Sequence, residues 1–244
     1  MGKFKAFLSD VVRQSDLVLL ALCVTSTLYG MLLIASATNY RGTLRYIAVQ
    51  GFGLFLGILL YFFLSAVDVG ELGKKWKWLL AFNLGFILLL RTPFGLNRGG
   101  NRAWLGVNDI GTRLGVKFLE NFPITVQPAE IVKITFIILL ARQLSLLAEK
   151  RDLTRLANVI QPTAHAAFMF AFYYVISKDA GSGLVYLFIF VCMAFAAGFA
   201  LRWMFLGLGG AVGGFLAAWN FGLLRGDWYE RIKVILDHSY DVQG

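Results

Sequence analysis

Glu130 and Lys133 are the residues whose types and spacing most invite chemistry. They lie in Gln127-Pro128-Ala129-Glu130-Ile131-Val132-Lys133, at the start of an apolar run of membrane length. Three positions apart on a helix, a carboxylate and an ammonium share a face and can pair. The lysine stem leans back towards the helix start. Pro128 suits a first helical position, where its missing N–H is not needed. Glu130 in the first turn complements the helix dipole. These facts explain Pro128 but not Lys133. Two readings stand for Lys133. It snorkels to the membrane surface, or it faces a polar cavity together with Glu130, as an ionisable residue within a membrane helix suggests.

Three further residues join them. Asp179, within Lys178-Asp179-Ala180-Gly181-Ser182, is either a helix N-cap beside a turn glycine or a second acid of the same cavity. Arg102, in Asn101-Arg102-Ala103-Trp104, has the chemistry to hold a phosphate. Trp104 suits a membrane interface, and the pair also reads as an aromatic anchor beside a solvated charge. Cations for phosphates, with acids for a divalent metal ion or for proton transfer, suit a lipid-linked phosphate substrate. His165 and His238 are isolated, and His165 reads as a hydrogen-bonded bundle residue. The chain has no Ser-His-Asp set, P-loop or zinc spacing. Cys23 and Cys192 sit in apolar runs and read as small buried hydrophobes.

Composition says what must position these groups. Of 244 residues, 58% are hydrophobic and 15% charged, against roughly 45–50% and about 25% in soluble domains. Mean hydropathy is +0.69. The chain is expected to be all-α, a polytopic helical membrane protein with about seven transmembrane helices in one domain over 1–244. The predicted spans are Leu17–Ala37, Tyr46–Val67, Trp78–Leu90, Pro128–Leu147, Ile160–Ser177, Gly183–Ala200 and a Gly-rich Trp203–Leu224, whose small residues would let helices approach closely. A signal peptide is rejected, because the first apolar run exceeds the usual h-region of about 7–15 residues. Trp76 and Trp78 read as an aromatic belt. Residues 91–127 form a long polar loop. No run alternates as a membrane barrel strand would.

The formal charge of +9 suits membrane lipids with anionic headgroups or phosphate-bearing lipids. The basic residues are scattered between spans, which argues against nucleic acid. Lys and Arg divide evenly between the two sides, so charge alone leaves the orientation open. The amino-terminal cluster of Lys3, Lys5 and Arg13 favours a cytoplasmic start.

The motifs resemble those of the SEDS family, which comprises the RodA, FtsW and SpoVE proteins. Gly100-Asn101-Arg102-Ala103-Trp104-Leu105 and Val126-Gln127-Pro128-Ala129-Glu130-Ile131-Val132-Lys133 look like its "G-x-x-R-W-L … Q-P-S-E-x-x-K" signature. Asp179-Ala180-Gly181-Ser182 resembles its "Q-P-D-L-G-T" turn. Arg231 to Asp237 and Asp241 to Gly244 look like the start of its next outer loop. The resemblance implies a ten-helix membrane fold, a cytoplasmic amino terminus and a multi-pass place in the bacterial inner membrane. It implies a peptidoglycan glycosyltransferase that polymerises lipid II into glycan strands for cell shape or division. The implied partner is a class B penicillin-binding protein. Arg102, Trp104, Gln127, Pro128, Glu130, Lys133 and Asp179 would line the substrate cavity.

The chain departs from the pattern in places. Ala103 is an extra residue between Arg102 and Trp104. Ala129 replaces a Ser, and Lys178 a Pro. The family's catalytic Asp is expected beyond Gly244, so the chain reads as the amino-terminal part of such a protein, truncated in the outer loop after the seventh helix. No polymerase activity is expected from it alone. Two other classes remain open: a flippase for the lipid-linked precursor, and a non-catalytic membrane scaffold for a penicillin-binding protein. A flippase would be supported by inverted repeats, and none is visible.

Overall fold

The computed structural model describes residues 15–38, 43–98, 100–117, 125–150, 153 and 155–221. The motif segments at Arg231–Asp237 and Asp241–Gly244, the cluster Lys3, Lys5 and Arg13, and His238 lie outside the described residues.

The described chain is helical apart from one hairpin. In order it forms α1 (Leu17–Ala37), α2 (Thr43–Ser65), α3 (Val69–Lys74), α4 (Trp76–Leu88), a 3-10 turn (Leu89–Arg91), β1 (Gly95–Arg98), β2 (Asn101–Leu105), α5 (Asn108–Leu114), α6 (Pro128–Lys150), α7 (Leu156–Ser177), α8 (Ala180–Ala196) and α9 (Leu201–Asn220). Among the described residues, four helices are long and apolar enough to cross a membrane: Leu17–Ala37, Tyr46–Ser65, Pro128–Glu149 and Leu156–Ser177. Ala180–Ala196 and Leu201–Ala217 are apolar but shorter. α4 has 13 residues, against about 20 for a straight span. Its apolar stretch continues through the 3-10 turn, which ends the predicted third span. Helices suit this composition, because a lipid-embedded backbone must satisfy its polar groups within its own segment.

The chain divides into two compact units, residues 1–139 and 140–244, with the division inside α6. In the first unit, α1 and α2 form an antiparallel pair. Asp16 caps α1 by accepting from Val18 N and Leu19 N, each at 3.0 Å. Tyr61 Oη donates to Asp16 O at 2.7 Å, which puts the end of α2 beside the start of α1. The buried side chains of this unit include Ile87, Leu90, Leu96, Val132 and Phe136. In the second unit Met169, Tyr173 and Tyr186 are buried, and the Tyr173 and Tyr186 rings lie 5.9 Å apart.

Each unit also has a polar contact between helices. Thr135 Oγ1 of α6 meets Asn83 Oδ1 of α4 and lies 3.1 Å from Val132 O. Asn83 is fully buried. His165 Nδ1 of α7 lies 3.0 Å from Gln143 Oε1 of α6, the hydrogen-bonded state its isolation suggested.

Three expectations are corrected. The segment 91–127, read as loop, contains the β1–β2 hairpin and α5. The reversal follows from Gly100, whose φ of +83° suits the glycine-rich turns that join strands. Cys23 and Cys192, read as buried, are exposed on the helix surfaces. Lipid is as apolar as a side chain, so a small apolar group gains little by turning inward. The α9 glycines were expected at a close helix contact. A Cβ built at Gly207, Gly209, Gly210, Gly213 or Gly214 meets nothing within 4 Å.

Two outcomes follow for stability. Thr135→Val strands the buried Asn83 amide and costs about 1 kcal/mol, whereas Asn83→Leu/Thr135→Val together recover most of that loss. Gly209→Ala raises stability by about 0.5–1 kcal/mol, since alanine is the better helix former and its methyl meets open space. Reversible unfolding in mixed micelles, followed by helical circular dichroism, checks both.

Candidate functional site

Six of the seven sequence-predicted site residues lie in the first unit, and the hairpin places four of them. β1 and β2 pair antiparallel, with Gly95 opposite Leu105, Leu96 opposite Trp104 and Arg98 opposite Asn101. The register shifts between Leu96 and Arg98. Asn97 is therefore opposed by both Arg102 and Ala103, a β-bulge that absorbs one extra residue. The extra Ala103 is the residue so absorbed, and it is buried.

The Arg102 side chain turns back onto the backbone. Nε donates to Gly95 O and Nη2 to Thr92 O, both at 3.1 Å. One edge of the guanidinium thus fastens the hairpin to the turn before it. Only glycine fits at position 95, since a Cβ there would lie 2.0 Å from Leu90 O and 2.9 Å from Arg102 Nε. Trp104 is half-buried, and the Arg98 guanidinium carbon lies 5.8 Å from its ring centroid, within cation–π range.

The hairpin is tied to the start of α6. Leu105 N donates to Val126 O at 2.7 Å, and Val126 N donates to Leu105 O at 2.9 Å. This two-bond bridge sets Trp104-Leu105 beside Val126-Gln127-Pro128. Pro128 is the first residue of α6 and is buried. Gln127 O accepts from Glu130 N at 3.1 Å.

One turn into α6, Lys133 Nζ donates to Glu130 Oε1 at 2.7 Å. The Lys133 side chain is only 15% exposed and that of Glu130 61%. A polar head buried to that degree needs a hydrogen-bonding partner. The lysine stem packs at the base of the helix and its head reaches back to the carboxylate, as the i, i+3 spacing allows.

Asp179, in the second unit, is the N-cap of α8. Oδ1 accepts from Ser182 N at 3.2 Å and Oδ2 from Ser182 Oγ at 2.7 Å. Tyr173 Oη donates to Oδ2 at 3.4 Å, and Asp179 N donates to Ser177 Oγ at 3.0 Å. The capping alternative is therefore realised. Lys178 before it takes a left-handed φ of +61°, and its Nζ stands 5.8 Å from the Tyr174 ring centroid.

The sequence reading missed Thr92 and Gly95 under Arg102, and Tyr173, Ser177 and Ser182 around Asp179. Ser182 was legible as the N3 partner of a capping aspartate. The others are brought in by the chain reversals. Among the described residues, no three His, Cys, Asp or Glu side chains gather as a metal site would need.

The fold and these residues define a polytopic helical membrane protein with a structured polar segment leading into a charged helix start. The family model described as "Cell cycle protein", FtsW/RodA/SpoVE, matches residues 15–244, and the chain belongs to that family. It is 26% identical over 207 residues to stage V sporulation protein E of Bacillus subtilis (strain 168), covering 81% of this chain and 52% of that protein. It is 30% identical over 200 residues to peptidoglycan glycosyltransferase RodA of Treponema pallidum (strain Nichols), covering 80% and 41%. The chain thus spans about half the length of these relatives, or less. A solved chain described under structural coordination of polymerization and crosslinking by a peptidoglycan synthase complex shares the fold. Its TM-score is 0.69 at 24% identity, covering 93% of this chain and 60% of that one.

Arg102→Lys removes the fork that holds both carbonyls. It should cost about 2 kcal/mol, since hydrogen bonds to charged groups contribute roughly 1.5–3 kcal/mol. Faster amide hydrogen exchange at Leu105 and Val126, with little change in α7 and α8, would mark the loss as local to the hairpin.

Proposed function

We propose that this chain carries the substrate-binding portion of a peptidoglycan glycosyltransferase that polymerises lipid II, a polyprenyl diphosphate-linked sugar, in the bacterial inner membrane. The observation that carries the reading is the family match across residues 15–244, which spans both signature motifs and the Asp179 turn. The geometry supports it. The hairpin bridge holds Arg102 and Trp104 in the same short segment as the start of α6, where Gln127, Glu130 and Lys133 follow within two turns.

In this reading Lys133 and the free edge of Arg102 bind diphosphate oxygens. Arg fits phosphate through its planar fork, and Lys as a point charge. Glu130 aims Lys133 through their hydrogen bond, and yields it when the more strongly charged substrate arrives. Trp104 lies against the lipid or sugar. Deprotonation of the acceptor hydroxyl needs a general base, which the family resemblance assigns to an acid outside the motifs described above. A class B penicillin-binding protein is the proposed partner, and a cytoplasmic amino terminus the proposed orientation. Support for the partner is the fold shared with the chain from the peptidoglycan synthase complex.

The test is lipid II polymerisation, read as glycan strands on a gel, by a full-length protein that contains this segment. Lys133→Met should lower turnover at least about 100-fold, the range for loss of a preorganised cation facing transferring phosphate charge, with unaltered membrane abundance. Glu130→Gln should do so more weakly. Full polymerisation by Lys133→Met would sink the binding role. Normal partner recruitment by a protein that makes no strands would favour the scaffold reading.

A further inference from the structure

The corner between α2 and α4 holds positive charge that the described part of the molecule leaves unanswered. It reads Asp68-Val69-Gly70-Glu71-Leu72-Gly73-Lys74-Lys75-Trp76-Lys77-Trp78. Both acids are used locally. Asp68 caps α3, its Oδ1 accepting from Gly70 N at 2.8 Å and Glu71 N at 3.2 Å. Glu71 takes Lys74 as an ion pair. Lys75 and Lys77 then follow with no carboxylate partner among the described residues, Glu71 being taken by Lys74.

The two lysines alternate with two indoles. Trp78 is 79% exposed and Trp76 39%. Lys77 Nζ stands 5.7 Å from the Trp76 ring centroid, which holds the ammonium near the aromatic surface. The corner also sits at a membrane boundary. It follows the end of the span-length helix α2, level with the capped start of α1 through the Tyr61–Asp16 hydrogen bond. An indole exposed at that depth finds its best solvent at the headgroup level, apolar on its face and polar at its N–H.

We infer that Lys75, Trp76, Lys77 and Trp78 form a binding site for the headgroup of an anionic phospholipid. The two ammonium groups donate to the phosphate oxygens. The Trp78 indole lies along the glycerol and upper acyl chain, and its N–H can donate to an ester carbonyl. A basic cluster beside a membrane helix attracts acidic lipid through the same charge complementarity. An acidic protein surface would also answer the charge, but it would leave the lipid-level indole of Trp78 without a use. The inference stands whether or not the chain binds a polyprenyl diphosphate elsewhere.

The full chain, purified in a neutral detergent, is titrated with phosphatidylglycerol or with phosphatidylcholine and read by native mass spectrometry. Phosphatidylglycerol adducts should form at the lower concentration. Lys75→Gln/Lys77→Gln should weaken them about 25-fold, from about five-fold per lysine near a lipid surface, with no change for phosphatidylcholine. Lys75→Arg/Lys77→Arg should restore them. Equal binding of the two lipids, or wild-type phosphatidylglycerol binding by the glutamine variant, overturns the site. A second measurement needs no variant. A phosphatidylglycerol with a photoreactive headgroup should label residues 68–78 of the wild-type chain, and labelling confined to other segments overturns the inference.

Discussion

The paired hydrogen bonds between Leu105 and Val126 are the constraint on which the first unit's candidate site depends. Without them, residues 106–125 would be a long tether, and Arg102 and Trp104 would have no fixed relation to Gln127 and Glu130. With them, two motifs more than twenty positions apart become neighbours. The bridge is held in turn by the hairpin, and the hairpin by Arg102 on the carbonyls of Thr92 and Gly95. A residue that looks like a ligand-binding cation is thus also a structural clasp. Gly95 must be glycine because Leu90 O, and then the Arg102 guanidinium, approach too closely to leave room for a side chain.

The charged groups follow one economy throughout. Glu130 holds Lys133, Ser182 and Tyr173 hold Asp179, and Asp68 holds the start of α3. Each is a response to the cost of placing a polar group where water is scarce. The same rule makes Lys75 and Lys77 stand out. Neither has a carboxylate beside it among the described residues, and lipid is the counter-charge we propose for them. Elsewhere a cation stands by an aromatic ring instead, as Lys178 does by Tyr174 and Arg202 by Trp203.

Membership of the FtsW/RodA/SpoVE family gives these local arrangements a common reading. The Arg102 segment, the Glu130–Lys133 pair and the Asp179 turn all lie within the matched residues 15–244. The extra Ala103 would seem to disturb the first motif. The β-bulge shows how the chain absorbs it, keeping Leu96 opposite Trp104 and Arg98 opposite Asn101 while Arg102 turns onto the backbone.

The membrane class, the helical architecture and the start of α6 at Pro128 were all determined by the sequence, because hydropathy over about twenty residues and a proline at N1 are local signals. The pairing of Glu130 with Lys133 was equally legible, since i, i+3 geometry is fixed once a helix forms. The N-cap at Asp179 was one of two local options, and the hydroxyls of Ser182 and Tyr173 realise it. The hairpin within 91–127, the bulge at Arg102–Ala103 and the bridge from Leu105 to Val126 were decided only by tertiary structure. Each depends on which distant backbone groups meet, and composition does not encode that meeting. The side of a helix that faces lipid was hidden for a related reason. In an apolar solvent, inward and outward positions carry the same kinds of residue, so Cys23, Cys192 and the α9 glycines revealed their surroundings only in the folded chain.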